Sequence, residues 1–158
     1  MTERDMLRHT LATLAYRGGK AVRGVPDRFA DFKTEADIRT PGQILAHIGD
    51  LLDWALELAD GRHTWRDSPP RPWTEEVARF FEALARLDSR LATDTPLVQF
   101  TATQLFQGPV ADALTHVGQI AMLRRMYGSP VRGENYLRAE IVAGRVGPDQ
   151  SAPRREFD

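Results

Sequence analysis

The chain has 158 residues, 42% hydrophobic and 27% charged, with 12 Gly and 10 Pro. That composition excludes a disordered or fibrous protein and gives enough length for one well-buried domain across 1–158. The 21 basic and 22 acidic residues leave a formal charge of -1, so no global basic field points to nucleic acid as a partner. The opening Met-Thr-Glu-Arg-Asp does not read as a secretory leader, and no apolar run approaches the roughly 20 residues that cross a bilayer. A cytoplasmic protein without a membrane partner is expected. There is no cysteine, which rules out disulfides, thiolate metal ligands and a cysteine nucleophile. Any thiol chemistry must use an external thiol.

Helix signals recur with short spacers, and no convincing alternating strand flanked by hairpin turns interrupts them, so the expected class is all-α. Thr2 and Asp5 cap a first helix whose Leu7, Leu11 and Leu14 form a narrow apolar stripe, with Gly18-Gly19 as its expected end. Residues 19–39 mix Gly, Pro and charge and read as a connection with a helical turn near Phe29. Thr40-Pro41-Gly42-Gln43 then combines a capping box with Pro at the first helical position. Behind it Ile44, Ile48, Leu51, Leu52, Ala55 and Leu58 repeat at helical spacing up to Asp60-Gly61, and His47 lies at the edge of that stripe.

Residues 61–73 hold two Trp among turn formers and read as a loop packing its aromatics on the helices. Thr74 is the expected cap of a third helix, whose Val77, Phe80, Phe81, Leu84, Leu87 and Leu91 face the core. The segment from Pro96 to Phe106 has no clear reading. Gly108-Pro109 is expected to open a fourth helix running to about Tyr127, with Gly128-Ser129-Pro130 as its stop. The tail, 129–158, is expected to be ordered by packing on the bundle or at a dimer contact, with a short helix around 133–143.

Four apolar-striped helices suggest a bundle, and bundles build metal sites from inward-pointing side chains of facing helices. Asp112 and His116, one turn apart on the fourth helix, share a face as paired ligands do. His47 is the only other histidine at an inward-facing helical position. Three protein ligands leave open positions on a divalent ion, which is the catalytic pattern. Each residue also has a plain structural reading: a hydrogen-bonded core histidine for His47 and His116, and for Asp112 a carboxylate favoured by the helix dipole just after Pro109.

The stretch Asp112-Ala-Leu-Thr-His116-Val-Gly118-Gln119-Ile120, followed by Leu123-Arg124-Arg125, resembles the last-helix signature of the DinB/YfiT-like superfamily. There the helix usually presents two histidines four residues apart, the second followed by x-Gly-Gln. Ile44-Leu-Ala-His47-Ile-Gly-Asp50, with Trp54 after it, looks like the family's first ligand helix. Carried over by position, His47, Asp112 and His116 are the metal ligands, and Asp112 departs from the usual histidine. Two imidazoles and a carboxylate suit Zn, Ni, Fe or Mn alike.

The resemblance implies a four-helix bundle with a long crossover between helices two and three, here 61–73, and often a homodimer. It also implies activation of a low-molecular-weight thiol for transfer to a small electrophile. Gln43, Asp50 and Gln119, each one turn from a ligand histidine, are candidates for orienting a ligand or a bound molecule. Arg124 and Arg125 are candidates for attracting a peptide-like thiol's carboxylates. The competing functions are a metal-dependent hydrolase and a non-catalytic metal-binding module for stress response or interaction.

Overall fold

A computed structural model describes residues 1–158. Its regular structure is almost entirely helical, with α1 (Glu3–Val22), α2 (Pro41–Ala59), α3 (Trp73–Ala92), and a fourth rod formed by α4 (Ala102–Leu105), a π turn (Phe106–Val110) and α5 (Ala111–Met126). The only sheet is the two-residue antiparallel pairing of β1 (Gly133–Glu134) with β2 (Glu156–Phe157). No helix is long and apolar enough to cross a membrane.

α1 and α2 each pack on α3 and α5, so they occupy opposite corners of the bundle. Cross-helix partners give the directions. Asp50 pairs with Arg79, Asp53 with Arg86 and Asp60 with Arg90, so α2 and α3 run parallel. The chain must therefore travel back along the bundle between them, and residues 61–72 do this as an extended strap. Its course is fixed by the Ser68 amide donating to Asp50 Oδ2 (2.9 Å), by His63 stacked on Trp54, and by Trp65 against Trp54 and His47.

The core is one apolar cluster drawn from all four rods, including Leu11, Leu14, Ile48, Leu52, Phe80, Leu84, Leu87, Leu105 and Ile120. Thr40 carries the full capping box expected of it, its hydroxyl accepting from Gln43 N while Gln43 Oε1 accepts from Thr40 N. The turn near Phe29 is a single 3-10 turn, Phe29–Asp31.

Four local expectations are corrected. Gly18-Gly19 does not end α1; the helix continues to Val22, because these glycines serve close packing. A methyl at Gly18 would stand 2.5 Å from Phe80 Cζ. α3 begins at Trp73, with Pro72 as its N-cap, and the buried Glu76 reaches back to accept from the Arg71 amide (3.1 Å). Thr74 is thus already inside the helix.

Pro109 likewise does not open the fourth helix. Thr101 opens it with a capping box to Gln104, and Pro109 sits in the π turn, whose altered winding accommodates a residue without an N–H. In the tail, the short helix expected at 133–143 is only one 3-10 turn, Tyr136–Arg138.

The tail packs on the bundle. Glu134 is buried, accepting from Tyr16 Oη (2.6 Å) and pairing with Lys20 (2.8 Å), while Val146 joins the core. Burial and the Glu134 carboxylate push the Tyr16 phenol up, so it donates this bond throughout the ordinary pH range.

Candidate metal centre

α2 and α5 run antiparallel side by side, with His47 facing Asp112 and His116. The local register makes the site. His47 follows two turns after the Thr40 cap, which phases the whole helix, and the π turn just before Asp112 resets the phase of α5. The buried positions Leu105, Pro109, Ala113 and Val117 step by four, more than an unbroken α-helix keeps in line, and a π turn takes up the excess.

One ligand atom from each of His47, Asp112 and His116 lies within 4.8 Å of the others. His47 Nε2 is 3.8 Å from Asp112 Oδ2, and His116 Nε2 is 3.4 Å from Asp112 Oδ1. The two imidazoles meet edge to face at 4.7 Å between centroids. Their side chains are 17% and 12% exposed and that of Asp112 is 49% exposed, so the cluster has a sheltered nitrogen side and an open carboxylate side. A divalent ion fits this donor set, and the open side leaves room for further ligands.

The ring nitrogens are prepared for such a role. Gln119 Oε1 lies 2.7 Å from His116 Nδ1, so a neutral His116 donates from Nδ1 and turns the Nε2 lone pair toward the cluster. Burial pushes His47 below its ordinary value of 6.5; the Arg39 guanidinium and His116 push the same way, against Asp112 and Asp50. The ring is therefore neutral, and able to donate a lone pair, at neutral pH.

The dipole reading of Asp112 loses its basis. With the helix opened at Thr101, Asp112 lies well inside a continuous rod, far from any free N-terminal amides.

The structure separates the other candidates. Gln119 contacts His116, whereas the side-chain oxygen of Gln43 is occupied in the Thr40 cap. Asp50 is buried and its oxygens are taken by Arg79 Nη2 (2.6 Å) and the Ser68 amide, so it pins the strap instead of receiving the His47 N–H. Arg124 is buried and donates to the carbonyls of Ala21, Arg23 and Ser129, tying the end of α5 to the end of α1; it is not free to attract a thiol's carboxylates. Burial lowers its pKa.

Sequence reasoning missed two residues at the site. Trp65 from the strap covers His47 at 5.6 Å between centroids, and Arg39, just before the Thr40 cap, lines the clefts on both sides of the triad. Trp65 was signalled only as one aromatic of a loop, and Arg39 by nothing beyond its charge. No protein-family model, curated protein or solved structure matches this chain.

Proposed function

We propose that this chain is a DinB/YfiT-like metal protein in which His47, Asp112 and His116 hold a divalent ion, and that its reaction is transfer of a low-molecular-weight thiol to a small electrophile. The observation carrying the reading is the convergence of three donors from two antiparallel helices at a partly open pocket wall. The parallel α2–α3 pair with its long returning strap supports it, since that arrangement is what the resemblance implies. The absence of cysteine makes the thiol an external reactant.

A divalent ion bound there supplies Lewis acidity that favours the thiolate at neutral pH. The residues of the chain do the rest. Gln119 fixes the tautomer and ring angle of His116, Trp65 shields His47 from water, and the half-exposed Asp112 leaves one side free for reactants.

Elemental analysis of the purified protein should find about one divalent ion per chain, lost in His116→Ala. An assay of small thiols with a model electrophile should then yield an S-conjugate. Hydrolysis of the electrophile without conjugate would assign the site to a hydrolase. Metal-free protein after incubation with Zn, Ni, Fe and Mn salts would refute the metal-centre reading itself.

A further inference from the structure

Beside His116 a trough of about 330 Å³ opens between α5 and the segment leading into α2. Its walls are apolar. Ile44 forms the floor, and Ile38, Met122 and Met126 line it while remaining 41%, 59% and 55% exposed. Apolar side chains left exposed together around a concavity, and not scattered singly, mark a candidate binding surface. His116 and its hydrogen-bonded Gln119 both line the trough, so an occupant lies against one member of the donor triad.

The charge at the mouth narrows the choice of occupant. Arg39 lines both this trough and the polar cleft containing His47 and Ser68 on the other side of the triad. The Arg39 guanidinium makes no hydrogen bond or ion pair with the chain, and among the arginines without such a partner it is the one that lines this trough. A free planar fork of donors at the rim of an apolar trough matches a carboxylate attached to an apolar body.

We propose that the trough is the substrate-binding subsite of the triad and takes a small aliphatic or aromatic carboxylic acid, its apolar body on Ile44, Met122 and Met126 and its carboxylate on Arg39. The inference rests on the metal-centre reading only in calling the bound acid a substrate; capture of the acid itself does not require the ion. Met residues suit this role, because their unbranched side chains adapt to bodies of differing shape.

The test uses chelator-treated full-length protein with labelled methionine methyls, titrated with butanoate, hexanoate and hexanamide. Met1 lies away from the trough and serves as an internal reference, and Met6, which lines a separate apolar cleft, reports any unspecific uptake. Hexanoate should shift Met122 and Met126 saturably, at concentrations that leave Met1 and Met6 in place. Affinity should rise about threefold to fourfold per methylene from butanoate to hexanoate. Hexanamide should bind about tenfold more weakly, and Arg39→Gln should reduce hexanoate to the level of hexanamide while Arg39→Lys restores part of the loss.

Equal binding of acid and amide, or an unchanged Arg39→Gln, would overturn the proposal. So would hexanoate binding that appears only after zinc is restored, since the ion and not Arg39 would then hold the carboxylate. If Met122 and Met126 shift with protein concentration alone, the trough is a contact between copies of the chain and the proposal is again overturned. Zinc binding measured on the same samples reports separately on the triad.

Discussion

Helix α2 meets α3 and α5 with polar side chains on both sides, and the two sides differ in how their charges are satisfied. Toward α3, Asp50 and Asp53 clasp Arg79 at 2.6 and 2.8 Å, with Glu76 3.7 Å away and Arg86 on the outer oxygen of Asp53. Burial alone would lower the Arg79 pKa, but the hydrogen-bonded Asp50 and Asp53 outweigh it and the net shift is upward. Toward α5, His47 faces His116 and Asp112 at distances too long for hydrogen bonds, and Arg39 beside them has no partner. A network in which two guanidiniums pair with Asp50 and Asp53, with Glu76 beside them, holds two parallel helices together. An unmatched cluster on the same helix has donors left over for something outside the chain.

Several measurements can break or sharpen this contrast. Arg79→Ala would leave Asp50 and Glu76 buried without their cation and should cost about 3–5 kcal/mol in urea unfolding. A loss below about 1 kcal/mol would mean the α3 face is no clamp. His116→Ala should reverse the pattern, weakening metal binding about a hundredfold or more while leaving metal-free stability within about 1 kcal/mol of the parent.

Gly49→Ala is the next test of the clamp. The added methyl would stand 2.8 Å from Arg79 Nη1, and displacing that guanidinium should cost about 1–3 kcal/mol with metal affinity retained. On the opposite face, Gln119→Leu should weaken metal binding about tenfold and leave unfolding unchanged.

The smallest effect concerns pH. Because His47 is held below its ordinary 6.5, the unfolded chain takes up its proton first as pH falls. Stability of the metal-free protein associated with a neutral His47 is therefore present above about pH 6.5 and lost as pH falls below it, until the folded ring also protonates. His47→Gln should flatten that part of the urea-midpoint profile. An unaltered slope would mean the burial of His47 has no thermodynamic consequence.

What the sequence made legible was local. The Thr40 box and the stripe from Ile44 to Leu58 are complete within α2, and they set the phase that leaves His47 at the edge of the stripe, the edge that faces Asp112 and His116. A glycine at a helix end and a glycine under an aromatic ring are the same letter, and only Phe80, from α3, marks Gly18 as the second kind. Pro109 is ambiguous for a related reason, since a π turn has no signature distinct from a helix start. Helical spacing alone puts Asp50 and Gln43 near the site, and charge alone suggests Arg124. Their partners, Arg79, the Thr40 amide and the carbonyls ending α1, compete for the same atoms. Gln119 differs in that its partner, His116, lies one turn away on its own helix.

The strap that crosses back over α2 brings Trp65 to the rim of the His47 ring, and Trp65 in turn meets Trp54 edge to face at 5.7 Å. The centre thus has an intrinsic chromophore in van der Waals range of one donor. An open-shell ion such as Ni(II) or Fe(II) seated there should quench indole emission by energy or electron transfer, whereas closed-shell Zn(II) should change mainly its wavelength. Ultraviolet emission from the unlabelled chain can therefore report both occupancy and the electronic class of the occupant.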